Sequence, residues 1–204
     1  GANVLNVGIP FFLLPVLTRV LTPADYGTVA MFTVVLAVFG AFTGLSLHGS
    51  VGVRYFQLDR PTLAEYVACC VGLLDCSGAA VAGAVAVLQD PLERVTSVPA
   101  EWLVVAVAVS CLQAVGSIRL ALWQAAGRAG AYASFQVAQG LLNVGLSLIL
   151  VLGVGWAWQG RVLGQTVAIA AFGLLAITLL PGDRLLRRPV QWRAQCSDAV
   201  KFGI

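Results

Sequence analysis

Charge is scarce in this chain. Asp, Glu, Lys and Arg make up only 10% of the 204 residues, whereas a soluble domain carries about 25%. With 59% hydrophobic residues and a mean hydropathy of +0.91, the chain lacks the polar surface of a water-exposed globule. Lysine occurs once, at Lys201, against eleven arginines. No stretch interleaves basic and aromatic residues, so nucleic acid is not a partner. Histidine also occurs once. His48 has no carboxylate or cysteine beside it, which leaves no metal set. In GLSLHG it stands two residues from Ser46, and residues two apart on a helix point in different directions. The pair therefore does not form a nucleophile and base, which argues against an intramembrane serine protease. The cysteines, at 69, 70, 76, 111 and 196, form no CxxC pair. Their place is as small packing residues in apolar runs. Nothing calls for a metal or a cofactor.

What the chain does have is long apolar runs. Six reach the roughly twenty residues needed to cross a bilayer, at 3–21, 28–50, 64–88, 100–123, 132–153 and 157–180. The fold class expected is all-α, a polytopic membrane protein of six transmembrane helices. Pro10 and Pro15 fit a kinked spanning helix in the first run better than a cleaved leader. The segment 181–204 reads as a cytoplasmic linker. Because the chain opens at Gly1 and stops at Ile204 as a new apolar stretch begins, it reads as part of a longer protein.

Orientation follows from the basic residues. With the N-terminus in the cytoplasm, Arg54, Arg60, Arg119, Arg128, Arg184, Arg187, Arg188, Arg193 and Lys201 fall inside. Arg19, Arg94 and Arg161 fall outside, and the imbalance is the positive-inside bias. Trp102, Trp156 and Trp158 then sit near outer helix ends, where an aromatic belt belongs. Between the first two spans, Thr22, Pro23 and Asp25 have the order of a helix start: a hydroxyl cap, a proline at the first position and a carboxylate near the exposed amides. This capped turn is expected to close at Tyr26 and Gly27.

Polar residues inside the spans carry most of the functional information, because each is costly in lipid. They fall at helical spacing on three helices. The second has Thr43, Ser46, Ser50 and Arg54; the fourth has Ser110, Gln113, Ser117 and Gln124; the fifth has Gln136, Gln139, Asn143 and Ser147. Such stripes either glue helices together or line a hydrophilic cavity, and their number favours the cavity. Asp75, in the middle of the third span, is either a proton or cation site or the structural partner of an arginine. Arg19, Arg54 and Arg119 lie at helix ends, where they either snorkel or meet an anionic headgroup.

The stretch LTRVLTPADYG, from Leu17 to Gly27, resembles the first outer loop of the polysaccharide-biosynthesis flippases. These are the Wzx-type translocases of the multidrug, oligosaccharidyl-lipid and polysaccharide (MOP) exporter superfamily. The likeness continues in LSLHGSVGVRYF and in QAAGRAGAYASFQVAQGLLNVGLSLILVLGVGWAWQGRVLGQ. Those proteins are built from two similar bundles, and NVLNVGI at 3–9 is echoed by DAVKFGI at 198–204.

The resemblance implies one six-helix bundle of a two-bundle transporter in the inner membrane of a bacterium. It would move a polyprenyl-diphosphate-linked oligosaccharide to the outer leaflet by alternating access. Membrane lipids and polysaccharide polymerase or assembly proteins are the implied partners. Arg19 and Arg54 would hold diphosphate or acidic sugars. Ser46, Ser50, Gln113, Ser117, Gln136, Gln139 and Asn143 would bind sugar hydroxyls, and Asp75 would carry a coupling ion. So few charges inside the spans make a neutral repeat unit plausible. The alternative is a cation-coupled drug exporter of the same superfamily, related to the MATE proteins, which would want several membrane carboxylates. A non-transporting scaffold for polymer assembly is a further possibility.

Overall fold

The computed structural model describes residues 19–182, and among these every regular element is helical. All of the expected first span except its last residues, and the segment beyond 182, lie outside the described residues. The elements are α1 (Pro23–Gly44), α2 (Leu47–Arg54), α3 (Arg60–Thr96), α4 (Ala100–Ala125), α5 (Ala129–Leu148) and α6 (Trp158–Gly182). Among the described residues, five helices are long and apolar enough to cross a membrane, α5 with the help of a π turn at Ile149–Gly153. The chain is thus a multi-pass membrane protein.

Thr22 does cap a helix, but the helix does not close at Gly27. The Thr22 hydroxyl accepts from the Asp25 amide at 3.2 Å, and the Asp25 carboxylate accepts in turn from the Thr22 amide at 3.2 Å. This is a reciprocal capping box. Nothing after it lacks an amide donor, so α1 runs straight through Tyr26 and Gly27 to Gly44. The expected connector is the first turn of the second span.

That span then breaks where a continuous helix to residue 50 is expected. Leu45 and Ser46 take left-handed conformations, with φ of 41° and 51°, and α2 begins after them. The freed carbonyls are partly satisfied: Ala41 accepts from the Leu45 amide at 3.2 Å, and Thr43 accepts from the Ser77 hydroxyl at 2.7 Å. A left-handed residue with a Cβ costs about 1–2 kcal/mol. Ser46→Gly is therefore expected to raise the unfolding midpoint and Ser46→Val to lower it, as read by thermal denaturation in detergent. Equal midpoints would mean that no strain is stored there.

Helix α3 runs past both expected ends, from Arg60 to Thr96, with a kink at Leu88. Pro91 explains the kink, since it has no amide to donate and its ring crowds the carbonyl four residues back. The other spans begin and end within a few residues of expectation.

Helix α4 is central. It touches every other helix, and half of its most apolar stretch is buried, against 17% for α3 and α5. Two apolar clusters grip it. At its first half, Phe32, Leu103, Val107 and Val162 pack beside Trp102 and Trp158, whose rings meet edge to face at 5.6 Å. At its second half, Tyr66, Ile118, Leu122 and Leu180 pack with Trp123 and Phe135. Between the clusters lie Ser110, Gln113 and Ser117. The core is thus apolar at both ends of the bundle and polar at mid-depth.

Two glycines set how closely α6 approaches. A Cβ at Gly173 would lie 2.8 Å from the Leu112 carbonyl oxygen, and one at Gly164 would lie 2.6 Å from the Ser147 backbone nitrogen. Neither neighbour is a side-chain tip that can swing away.

Candidate functional site

Where α1, α4, α5 and α6 meet at mid-depth, the bundle holds two adjoining cavities of about 380 and 240 Å³. Gln113 and Ser117 line both, so the two adjoin at α4 and together make up the polar groove of the bundle. The larger falls within the roughly 300–1,000 Å³ of ordinary ligand sites, and the smaller lies just below it. The larger chamber carries Thr33, Ser46, His48, Ser110 and Gln165; the smaller carries Gln136 and Gln139. Among the described residues, no Asp, Glu, Lys or Arg lines either chamber.

Hydrogen bonding decides what this lining offers. Its hydroxyls donate to their own helix: Ser110 to the Val107 carbonyl at 2.8 Å, Ser117 to that of Gln113 at 3.0 Å, Thr33 to that of Val29 at 2.9 Å. Their oxygens can still accept. Gln136 donates to the Tyr132 hydroxyl at 2.8 Å. The side-chain amides of Gln113, Gln139 and Gln165 have no protein partner among the described residues. Each amide brings two donors and an acceptor. The groove therefore suits a ligand rich in hydroxyls and without charge, which an amide matches donor for acceptor.

Of the residues expected in a cavity, Ser46, Gln113, Ser117, Gln136 and Gln139 come together here. The others stand elsewhere. Ser50 is buried and donates to the Leu47 carbonyl at 2.8 Å. Arg54 closes α2, where a cation meets the helix dipole favourably, and donates to Gln57 at 3.1 Å. Arg19 is exposed at the start of the described residues. Asn143 lies on α5 facing Arg161. Asp75 is exposed on α3 beside Cys76 and lines neither chamber. Cys69 and Cys70 are buried and Cys111 half-buried. Cys196 lies outside the described residues.

Arg119 departs from its expected place at a helix end. It is 2% exposed, and its guanidinium lies 4.5 Å from the centre of the Trp123 ring, one turn along α4. A cation held over an aromatic face is stabilised by the ring quadrupole, so this arginine is a core residue and does not snorkel.

Thr33, His48 and Gln165 line the groove without having been singled out for it. For Gln165 a signal existed. Arg161 and Gln165 stand four apart on α6, which is the spacing that marks the other stripes. His48 offered none, because the break at Leu45 and Ser46 that turns it toward the groove leaves no mark in GLSLHG.

No family model matches the chain, and neither the curated proteins nor the solved structures contain a significant match.

Proposed function

We propose that this bundle is half of a flippase that carries a lipid-linked oligosaccharide between the leaflets of a bacterial inner membrane, by alternating access with a second bundle. One observation carries the reading: a mid-depth groove lined by glutamine amides and hydroxyls, with no charged residue among the described residues that line it. Sugars present hydroxyls in every direction, and unpaired amides are the side chains that meet them without a charge penalty. The resemblance of LTRVLTPADYG to the flippases supports the same reading. So does the arginine bias, which sets the N-terminus in the cytoplasm. A cation-coupled exporter is the weaker reading, because it wants carboxylates in the groove and Asp75 lines neither chamber.

The test is leaflet exchange. Full-length protein in proteoliposomes is given a fluorescent polyprenyl-diphosphate disaccharide in the inner leaflet, and its arrival outside is followed by lectin capture. The expected result is exchange well above that of protein-free vesicles. Exchange at the protein-free rate, with uptake of a lipophilic cation instead, would replace the flippase by the exporter.

A further inference from the structure

Arg161 belongs to neither the groove nor the outer loop in which its sequence position placed it. It lies in the first turns of α6, half-buried, and one terminal nitrogen donates to Asn143 Oδ1 at 2.8 Å and to Ser147 Oγ at 3.1 Å. Both acceptors are on α5, one turn apart. The packing fixes the direction of this side chain. Gly160 and Gly164 of α6 lie against Leu150 of the π turn and Ser147 of α5, so the Arg161 backbone is level with residues between them. The head therefore reaches roughly one helical turn toward the middle of the bundle, away from the tryptophan-rich end. A snorkelling arginine does the reverse.

The acceptors that hold it are neutral. They satisfy two hydrogen bonds and leave the charge uncompensated, and no carboxylate contacts Arg161 among the described residues. Its other guanidinium nitrogens have no partner among the described residues, yet they are not among the nitrogens sealed inside the fold. A fixed cation at membrane depth, with donors left over that are not sealed off, calls for an anion. Guanidinium donors match phosphate oxygens in a planar fork. Gln139 of the groove lies one turn below Asn143 on the same stripe of α5, so the site stands directly above the amide lining.

We infer that Arg161, positioned by Asn143 and Ser147, binds the phosphate group of a membrane-borne lipid at the upper end of the groove. The site does not depend on the flippase reading. If that reading holds, the site receives the phosphate of the cargo while the glutamines meet its sugars.

The test uses full-length protein in maltoside micelles, which carry no phosphate. A fluorescent isoprenyl phosphate and the matching uncharged isoprenol are titrated against wild type, Arg161→Gln and Arg161→Lys. Wild type is expected to bind the phosphate at least about tenfold tighter than the alcohol, a preference that Arg161→Gln abolishes and Arg161→Lys partly keeps. Equal binding of phosphate and alcohol, or an unchanged preference in Arg161→Gln, overturns the proposal and leaves Arg161 a clamp between helices.

Competition with phosphatidylglycerol separates the sources. If it displaces the probe at equal concentration, a headgroup phosphate occupies the site; if it does not, the phosphate of an isoprenyl carrier does. Should Arg161→Gln fail to fold, phenylglyoxal labelling of wild type gives the same information. Isoprenyl phosphate must protect Arg161 where isoprenol does not, and unprotected labelling counts against the site. Phosphate binding that depends on Arg161, in a protein showing no leaflet exchange, would keep this site and remove the flippase.

Discussion

Gly164→Ala is expected to destabilise the bundle by about 1–3 kcal/mol, the range for forcing an extra methyl into a packed contact. The new Cβ would lie 2.5 Å from Ser147 Oγ, 2.6 Å from its nitrogen and 2.8 Å from its Cα. Two of those atoms are backbone, so α5 and α6 must separate. Separation also pulls Ser147 and Asn143 from Arg161, which uncovers a charge. Gly145→Ala, on α5, is the control. A Cβ there meets nothing within 4 Å, and alanine is the better helix former by up to about 1 kcal/mol. The same chemical change should thus move the unfolding midpoint down at 164 and leave it level or raise it at 145. If both fall together, or neither moves, close approach at Gly164 is not what holds the two helices together.

Ser117→Trp is the second large effect expected. Ser117 is one of the two residues shared by both chambers, and its hydroxyl bonds only to the carbonyl of Gln113 on its own helix. An indole there fills open space and displaces no packed side chain, so the fold should persist with little change in midpoint. Leaflet exchange should fall at least about tenfold, because the indole takes up space in both chambers at the place where they adjoin. Ser117→Ala removes no more than a self-satisfied hydroxyl and should transport nearly as wild type does. Unimpaired exchange in a folded Ser117→Trp protein would show that the cargo takes another path, and the groove would lose its role.

The two predictions differ in what made them visible. Polar residues at intervals of three and four on the fourth and fifth spans led to Gln113, Ser117, Gln136 and Gln139, which do line one groove. The same rule grouped Ser46 with Ser50 and Asn143 with Gln139, and there the groupings divide. The stripe of the second span assumed one continuous helix. The left-handed pair Leu45 and Ser46 rotates everything after it, so Ser46 faces the groove while Ser50 turns into the core. On α5 the stripe is continuous, but its neighbours change along its length: Gln139 meets open space and Asn143 meets Arg161. No spacing within one helix contains that difference, because it depends on where α6 crosses.

The sequence by itself determined that this chain lives in a membrane, how many of its described segments are long enough to span it, and close to where most of them start. Those properties come from local physics: the energy of apolar surface in water, the reach of a helix, and capping by residues three apart. Tertiary structure alone decided which face of each helix meets which neighbour. It turned Asp75 outward, laid Arg119 over Trp123, bent Arg161 inward, and opened the polar space between the two apolar clusters. Rotation of a helix about its own axis is fixed by packing against others, at contacts such as Gly164 on Ser147 and Gly173 on Leu112, between residues far apart along the chain.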